Sequence, residues 1–527
     1  MPGAITIHGN LCVTTLEKTL QEIIRRHEVL RTNIRTVDGE PCQVIHGQPL
    51  FELQVTESNN VSEPLTQSEI TRQIQQEAIR PFDLASESLI RVHLYRITDT
   101  ESVLFINQHH IVSDGWSMGI FIKELSDLYT SFRENKPYPL PELPVQYADY
   151  AVWQREYLQG EVYQEQADYW KGKLENVPAL ELPTDKPRPK EQTFNGSRYA
   201  FVINKETIQG LMDLGQTNES TLYMILQTLV KVLLGKYTGQ SDISIGSPIA
   251  NRTRSEIENL LGFFVNTIVL RTELDDTLPF SQLLSKERVN TLEAYQYQDM
   301  PFEKVVDLVS PERDLSRSPL FQVMVVLQNA PTSELQFSGL HVAPFPLKSG
   351  TSKFDLTFIF TQTSNGLSCS IEYNTDLFRP ETIQRLAGHF ETLDIRPRVD
   401  NMAELMAAAD LAIGAGGTTS WERCCMGLPS LVCIMADNQR DVAESLEAAG
   451  AISVWESRSE LKEKLDMYEG DHALHRSAIA AAADVCDGLG LDRVVSRFDP
   501  GPAGQHEATA ERDPGAAAGR SRRGTHR

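Results

Sequence analysis

A chain of 527 residues with 41% hydrophobic residues is long enough for several domains and apolar enough for ordinary cores. Its 72 acidic residues against 49 Lys and Arg leave a net charge of -23, which argues against nucleic acid as a partner. No apolar run approaches the roughly 20 residues of a membrane span. The start of the chain lacks the basic head and apolar core of a signal peptide, so the expected location is cytoplasmic. The seven cysteines, Cys12, Cys42, Cys369, Cys424, Cys425, Cys433 and Cys486, show no paired metal-ligand spacing and read as free, mostly buried thiols.

In chain order, residues 5–8 alternate as a strand does, and residues 15–27 carry apolar side chains at helical spacing. Residues 30–34 and 43–45 fit strands flanking a turn at Asp38-Gly39. The apolar run 103–106 predicts a short buried strand. It leads into His109-His110-Ile-Val-Ser-Asp114-Gly115. A helix is expected behind it, because Met118, Phe121, Ile122, Leu125, Leu128 and Tyr129 recur at helical spacing and Asp114 holds the N-cap position. Two imidazoles thus stand between a strand end and a helix start, where side chains can face a cleft. Imidazole titrates near neutrality, as a general base requires. The plainer reading is a pair of structural histidines. Pro-rich stretches at 136–144 and 182–189 bracket a helical region, 147–174, and mark a lobe boundary near residue 175. Beyond it come a helix at 222–237 and strands at 321–327 and 367–373. The expected class is α/β, with two lobes over 1–175 and 176–393 and a cleft between them.

The composition then changes. Up to residue 393 the chain uses 14 Lys and 20 Arg; from Asp394 onward it has 2 Lys and 13 Arg, with only two Gln. The change falls inside an expected helix rather than in a linker, which predicts a junction between unrelated pieces. In the second piece a buried strand, 411–413, runs into Gly414-Ala-Gly416-Gly417, where backbone can approach a ligand closely. Residues 418–425 then open a helix whose N-terminal N–H groups favour a pyrophosphate. Gly416, Gly417, Thr418 and Thr419 are the candidate nucleotide-binding loop, and Glu422 is placed to accept from ribose hydroxyls. The alternative is a tight strand-to-helix turn and nothing more. Residues 499–527, rich in Pro, Gly, Ala and Arg, show no apolar periodicity and read as a disordered tail.

Taken in order, the motifs of residues 1–393 resemble the condensation domains of non-ribosomal peptide synthetases, members of the chloramphenicol-acetyltransferase-like superfamily. His109-His-x-x-x-Asp-Gly115 is joined by Arg26-His-Glu-Val-Leu-Arg-Thr32 and Tyr147-Ala-Asp-Tyr-Ala-Val-Trp153. Ile245-Gly-Ser-Pro-Ile-Ala-Asn-Arg252 follows, with Gly262-Phe-Phe-Val-Asn-Thr267. Gln298-Asp-Met-Pro-Phe-Glu-Lys304 and Arg313-Asp-Leu-Ser-Arg-Ser-Pro-Leu-Phe-Gln322 complete the set. The resemblance implies a two-lobed chloramphenicol-acetyltransferase-like fold and amide formation between two carrier-bound thioesters. The substrates would arrive on the phosphopantetheine arms of carrier domains, with neighbouring synthetase modules as partners and no cofactor or metal bound directly. His110 is the implied catalytic residue, whether it takes a proton or only positions the amine. His109 would pack within the loop, Asp114 would pair with Arg252, and Gly115 would allow close backbone approach. A heterocyclisation domain would carry Asp in place of His109, and an epimerisation domain would lack this set of later motifs. A first element ahead of residue 5 and a last helix near 393 are missing from the pattern, so the domain is expected to be truncated at both ends.

Residues 394–498 resemble the C-terminal half of a glycosyltransferase-B-type protein, the UDP-sugar hydrolase of pseudaminic acid biosynthesis. The match runs through 410–423, Gly427-Leu-Pro429 and Ala436-Asp-Asn-Gln439. It implies a Rossmann-like half-domain, adds Gln439 to the nucleotide-binding candidates and makes a UDP-sugar the candidate ligand. The catalytic half of that fold is absent. Other readings are a coenzyme A-dependent acyltransferase, an inactive chimeric fusion or gene join, and an acyltransferase with an attached nucleotide-sugar-binding module.

Overall fold

The computed structural model describes residues 1–48, 51–57, 66–275, 278–309, 314–328, 337–347, 350–391, 412–415, 430–433 and 440–455, together with Glu460, Lys464 and Met467. The chain divides into two compact units, 1–397 and 398–527.

In the first unit a five-stranded sheet has the order β11-β1-β6-β5-β4. Its members are β1 (Pro2–His8), β4 (Gln54–Glu57), β5 (Ile90–Thr98), β6 (Glu101–Gln108) and β11 (His341–Pro344). Strand β6 is central and buried from Ser102 to Gln108. Its Leu104 and Ile106 share a core with Leu16, Leu20 and Ile24 of α1 (Val13–Arg26) and with Phe121, Leu125 and Leu128 of α3 (Gly115–Arg133). Val103 and Phe105 pack instead with Ile70 and Ile74 of α2 (Gln67–Ile79). A strand covered on both faces must be apolar throughout, which is why 103–106 is an unbroken run. A hairpin of β2 (Thr32–Val37) and β3 (Glu40–Ile45) turns at Asp38 and Gly39, with φ of 52° and 89°. That two-residue turn with both φ positive suits the twist of paired strands. Leu30 lies in a 3-10 turn before β2 rather than in the strand.

Strand β11 comes from the far side of the sequence. It pairs antiparallel with β1, Ile5 opposite Pro344 and His8 opposite His341. The stretch expected as the second lobe, 176–393, therefore lends a strand to the first sheet, and its Leu261 and Phe337 enter the same core as β6.

The second sheet has six strands in the order β7-β13-β12-β10-β8-β9. They are β7 (Gly196–Asn204), β8 (Asp242–Ile249), β9 (Asn266–Glu273), β10 (Val323–Gln328), β12 (Leu356–Thr363) and β13 (Gly366–Asn374). Helix α7 (Leu222–Thr238) is buried almost all round, from Met224 to Leu234, and stops at Gly239, whose φ of 70° is the left-handed C-terminal cap that glycine favours. The helical region expected over 147–174 consists of α4 (Tyr147–Tyr157) and α5 (Gly160–Lys173), with Gly160 turning the chain at φ 56°. Helices α6 (Lys205–Thr217), α8 (Phe280–Gln296), α9 (Phe302–Val309) and α10 (Pro380–Glu391) complete the unit.

In the second unit β14 (Ala412–Ala415), β15 (Ser430–Cys433) and β16 (Ile452–Val454) form a parallel sheet, with α11 (Arg440–Ala448) between the last two. Parallel strands joined through a helix are the unit from which Rossmann-like folds are built. The nucleotide-binding candidates Gly416, Gly417, Thr418, Thr419, Glu422 and Gln439, and the tail 499–527, lie outside the described residues. Among the described thiols Cys369 is buried, but Cys12 and Cys42 are only half-buried, contrary to expectation. No described helix is long and apolar enough to cross a membrane, and no described cluster of side chains could hold a metal ion.

Candidate active site

Strand β6 ends at Gln108, and one 3-10 turn, His110–Val112, carries the chain to the start of α3. His109 is absorbed by this turn. Its backbone N–H donates to Leu89 O at 2.9 Å, and its Nδ1 accepts from the Ile111 N–H at 3.0 Å. An accepting Nδ1 puts the ring proton on Nε2 of a neutral imidazole. Phe82 meets the ring edge-on, with centroids 5.7 Å apart. Burial holds its pKa below the ordinary histidine value, helped by the nearby N-terminal amine.

His110 is different. Its ring is half-buried and meets Phe263 edge-to-face, centroids 5.0 Å apart at 78°. Its Nδ1 is buried without a hydrogen-bond partner among the described residues. Burial again lowers the pKa, with Lys353 adding to the effect. The backbone of His110 itself and that of Ser113 offset part of that shift. The imidazole is therefore neutral at pH 7, the form in which it can accept a proton. The Ser113 hydroxyl and both amide atoms of Gln108 are likewise buried and unpartnered, so unsatisfied polar atoms gather at this end of β6.

Asp114, 2% exposed, holds the turn together. Its Oδ1 accepts from the Ser117 N–H at 2.8 Å and caps α3, while Oδ2 accepts from the N–H groups of Phe264 and Val265 at 3.0 and 3.2 Å. Arg252 Nη2 lies 3.5 Å from Oδ1 but only 2.9 Å from Ser117 Oγ, and Nη1 donates to the carbonyls of Ile257 and Leu260. The guanidinium stacks 4.1 Å over the Phe264 ring. Burial pulls its pKa down, and Asp114 pulls it back. The two charges do meet, at the long end of contact. Most of what Asp114 bonds is backbone, and so is half of what Arg252 bonds.

At Gly115 an added Cβ would meet no described protein atom within 4 Å. The first residue of α3 faces open space, so protein packing makes no demand for glycine there. The tight position is Gly262, where a Cβ would come within 2.3 Å of the Tyr147 ring.

Loop 261–265 overlaps a motif that sequence reasoning found, 262–267, but to which it gave no role in the site. Leu261 N–H donates to His27 Nδ1 at 3.3 Å, the Gly262 N–H donates to Ser117 Oγ at 3.1 Å, and the Tyr147 hydroxyl donates to Phe263 O at 2.9 Å. His27 Nε2 lies 2.8 Å from Glu124 Oε2, and Arg26 Nε donates to Glu124 Oε1 at 3.0 Å. The elements 26–32, 109–115, 147–153 and 262–267 thus converge on one loop. The available signal was that all four were present together. The arrangement can present one neutral imidazole to a nucleophile, with every surrounding backbone segment tied down.

Comparison with known proteins agrees in extent with this architecture. A family model for the condensation domain matches residues 1–395, and one for the glycosyltransferase family 28 C-terminal domain matches 370–484. The overlap, 370–395, covers the end of β13 and α10, which the structure keeps in the first unit. The chain is 46% identical over 393 residues to a linear gramicidin synthase of Brevibacillus parabrevis, covering 74% of the chain and 8% of that protein. It is 40% identical over 393 residues to a chondramide synthase of Chondromyces crocatus, covering 75% and 10%. The chain thus spans only about a tenth of these relatives' length. Among solved structures, the X-domain from teicoplanin biosynthesis superposes with a TM-score of 0.68 at 24% identity, covering 74% of this chain and 88% of that one. The first condensation domain of the CDA synthetase gives 0.60 at 18%, covering 74% and 89%.

Proposed function

The chain belongs, over residues 1–395, to the condensation-domain family, and from that premise we propose that it forms an amide bond between carrier-bound aminoacyl and peptidyl thioesters in non-ribosomal peptide synthesis. The acceptor's α-amino nitrogen attacks the donor's thioester carbonyl. A C–N bond forms, the C–S bond breaks, and the donor's phosphopantetheine thiol leaves with a proton. His110 is the catalytic residue in this reading. Its neutral imidazole takes or steers the proton that the amine loses on attack, and holding amine and carbonyl together supplies much of the remaining acceleration. His109, Asp114 and Arg252 act through it by fixing the turn. Gly115 leaves free space beside it. Carrier domains and adjoining synthetase modules are the partners, and a cytoplasmic location accords with them.

The observation that carries the proposal is the state of His110: buried enough to stay neutral, with no partner on Nδ1 among the described residues. The test is His110→Ala with both carrier-loaded substrates and product read by mass spectrometry. A loss of about 10²–10⁴-fold is expected for a proton-handling group, with unchanged circular dichroism. Turnover equal to wild type would remove His110 from the reaction.

For the second piece we propose descent from a nucleotide-sugar-binding half-domain, supported by the parallel β14-β15-β16 sheet and the glycosyltransferase match. Ligands in such sheets bind beyond the carboxyl ends of the strands, where the sequence places Gly416 directly after β14. Calorimetry with UDP tests this: heat of binding supports it, and none at millimolar UDP rejects it. UDP should leave amide formation unchanged.

A further inference from the structure

Phe263 is a large apolar side chain left 38% exposed, although Leu261, Gly262 and Phe264 around it are buried. Its backbone has no freedom to tuck it away. The carbonyl of Phe263 takes the Tyr147 hydroxyl, the N–H of Gly262 is held by Ser117, and those of Phe264 and Val265 are held by Asp114. What the exposed ring touches is His110, edge-to-face at 5.0 Å between centroids. A histidine used for proton transfer is ordinarily oriented by a hydrogen bond to its second nitrogen. His110 has none among the described residues, where its Nδ1 is buried and unpartnered.

We infer that Phe263 is a positioning residue for His110, its ring supplying by packing the orientation that a hydrogen bond supplies elsewhere. The aromatic edge sets the plane of the imidazole and keeps water from one side of it, so that the ring offers one nitrogen in one direction. Offset and edge-to-face contacts are the geometries that aromatic rings prefer, and the clamped loop makes this one permanent. The inference rests on the reading of His110 as the group that handles the amine.

The experiment compares Phe263→Ala and Phe263→Leu with the wild-type chain in two measurements. In turnover with carrier-loaded substrates, the alanine variant should lose about tenfold or more in kcat, equivalent to a looser near-attack geometry. Its KM should stay within about twofold. The leucine variant, which restores bulk, should recover most of kcat. In the free protein, NMR titration of the His110 ring should show its midpoint rising in the alanine variant, because water returns to the imidazole. The acid limb of the kcat profile should move to higher pH with it. An unchanged midpoint together with unchanged kcat overturns the inference, and so does a change confined to KM, which would make Phe263 a substrate contact. Should the alanine variant not fold, the leucine variant and Phe263→Met carry the same two measurements. The titration needs no turnover. If His110→Ala proves fully active, the amide-forming role of His110 fails while the midpoint still reports whether Phe263 governs the ring.

Discussion

Two ion pairs are buried to nearly the same depth in this molecule and are connected differently. Lys231 of α7 and Glu287 of α8 are fully buried, with Nζ and Oε1 2.7 Å apart. Thr272 of β9 closes the circuit, accepting from Lys231 at 2.9 Å and donating to Glu287 Oε2 at 2.7 Å. Arg252 and Asp114, 1% and 2% exposed, meet only at 3.5 Å. Their stronger bonds run outward to the backbone of Ile257, Leu260, Phe264 and Val265 and to Ser117. The first pair satisfies itself. The second is a junction through which the histidine turn and loop 261–265 are fastened together. Equal burial therefore says little about what a charge is for; the destination of its hydrogen bonds says more.

The largest effect that tests this contrast is expected from Asp114→Ala. It strands three N–H donors, two of them buried, and a guanidinium, so about 3–5 kcal/mol of stability should go, and turnover per folded molecule should fall as well because His110 loses its support. Urea denaturation and single-turnover assays read the two losses. An Asp114→Leu/Arg252→Met pair should recover almost none of it; substantial recovery would make this an ordinary salt bridge. Next comes the closed pair. Glu287→Leu alone should cost a similar 3–5 kcal/mol by leaving Lys231 unpaired, yet Lys231→Met/Glu287→Leu should return to within about 1 kcal/mol of wild type. A double variant as unstable as the single one would break the contrast from its other side.

Acid should sharpen the comparison further. Burial holds His93, His109 and His110 below the ordinary value of 6.5. The unfolded chain binds protons there that the folded chain refuses. Stability is thus complete above about pH 6.5 and is lost as pH falls toward the lower folded values. Hydrogen exchange at pH 5.5 should show the loosening at the histidine turn and around His93 in β5, and not around Lys231. Uniform loosening would argue against those locations. The smallest effect belongs to Asn251, which enters the left-handed region with φ 52° just before Arg252. Asn251→Ala should cost about 1 kcal/mol, and Asn251→Gly close to nothing, by thermal denaturation. Equal costs would mean that the side chain, not the backbone, matters there.

Much of this was legible in the amino-acid order where the cause is local. The run 103–106 gives a strand because β6 is apolar on both faces, and Asp114 starts a helix because its carboxylate can reach the Ser117 N–H three residues on. The contact of Asp114 with Arg252 was expected only through family resemblance, and its length and its backbone partners were not. Contacts across the chain left no local trace. Phe263 against His110, Tyr147 on the Phe263 carbonyl and His27 on Leu261 join residues more than a hundred positions apart. Strand β11 was missed because four residues, His-Val-Ala-Pro, carry no alternation of their own.

That short strand has a consequence for how the chain is made. β1 leaves the ribosome long before β11, and one of its edges is completed by β6 and the other only by β11. His341 meets His8, so roughly 330 residues separate them, and at about 5–20 residues per second the second edge waits on the order of 20–70 seconds for its partner. Throughout that interval a row of unpaired backbone groups is open to any passing strand. The sheet that β1 begins is thus finished late, and its vulnerable period is set by translation rather than by folding.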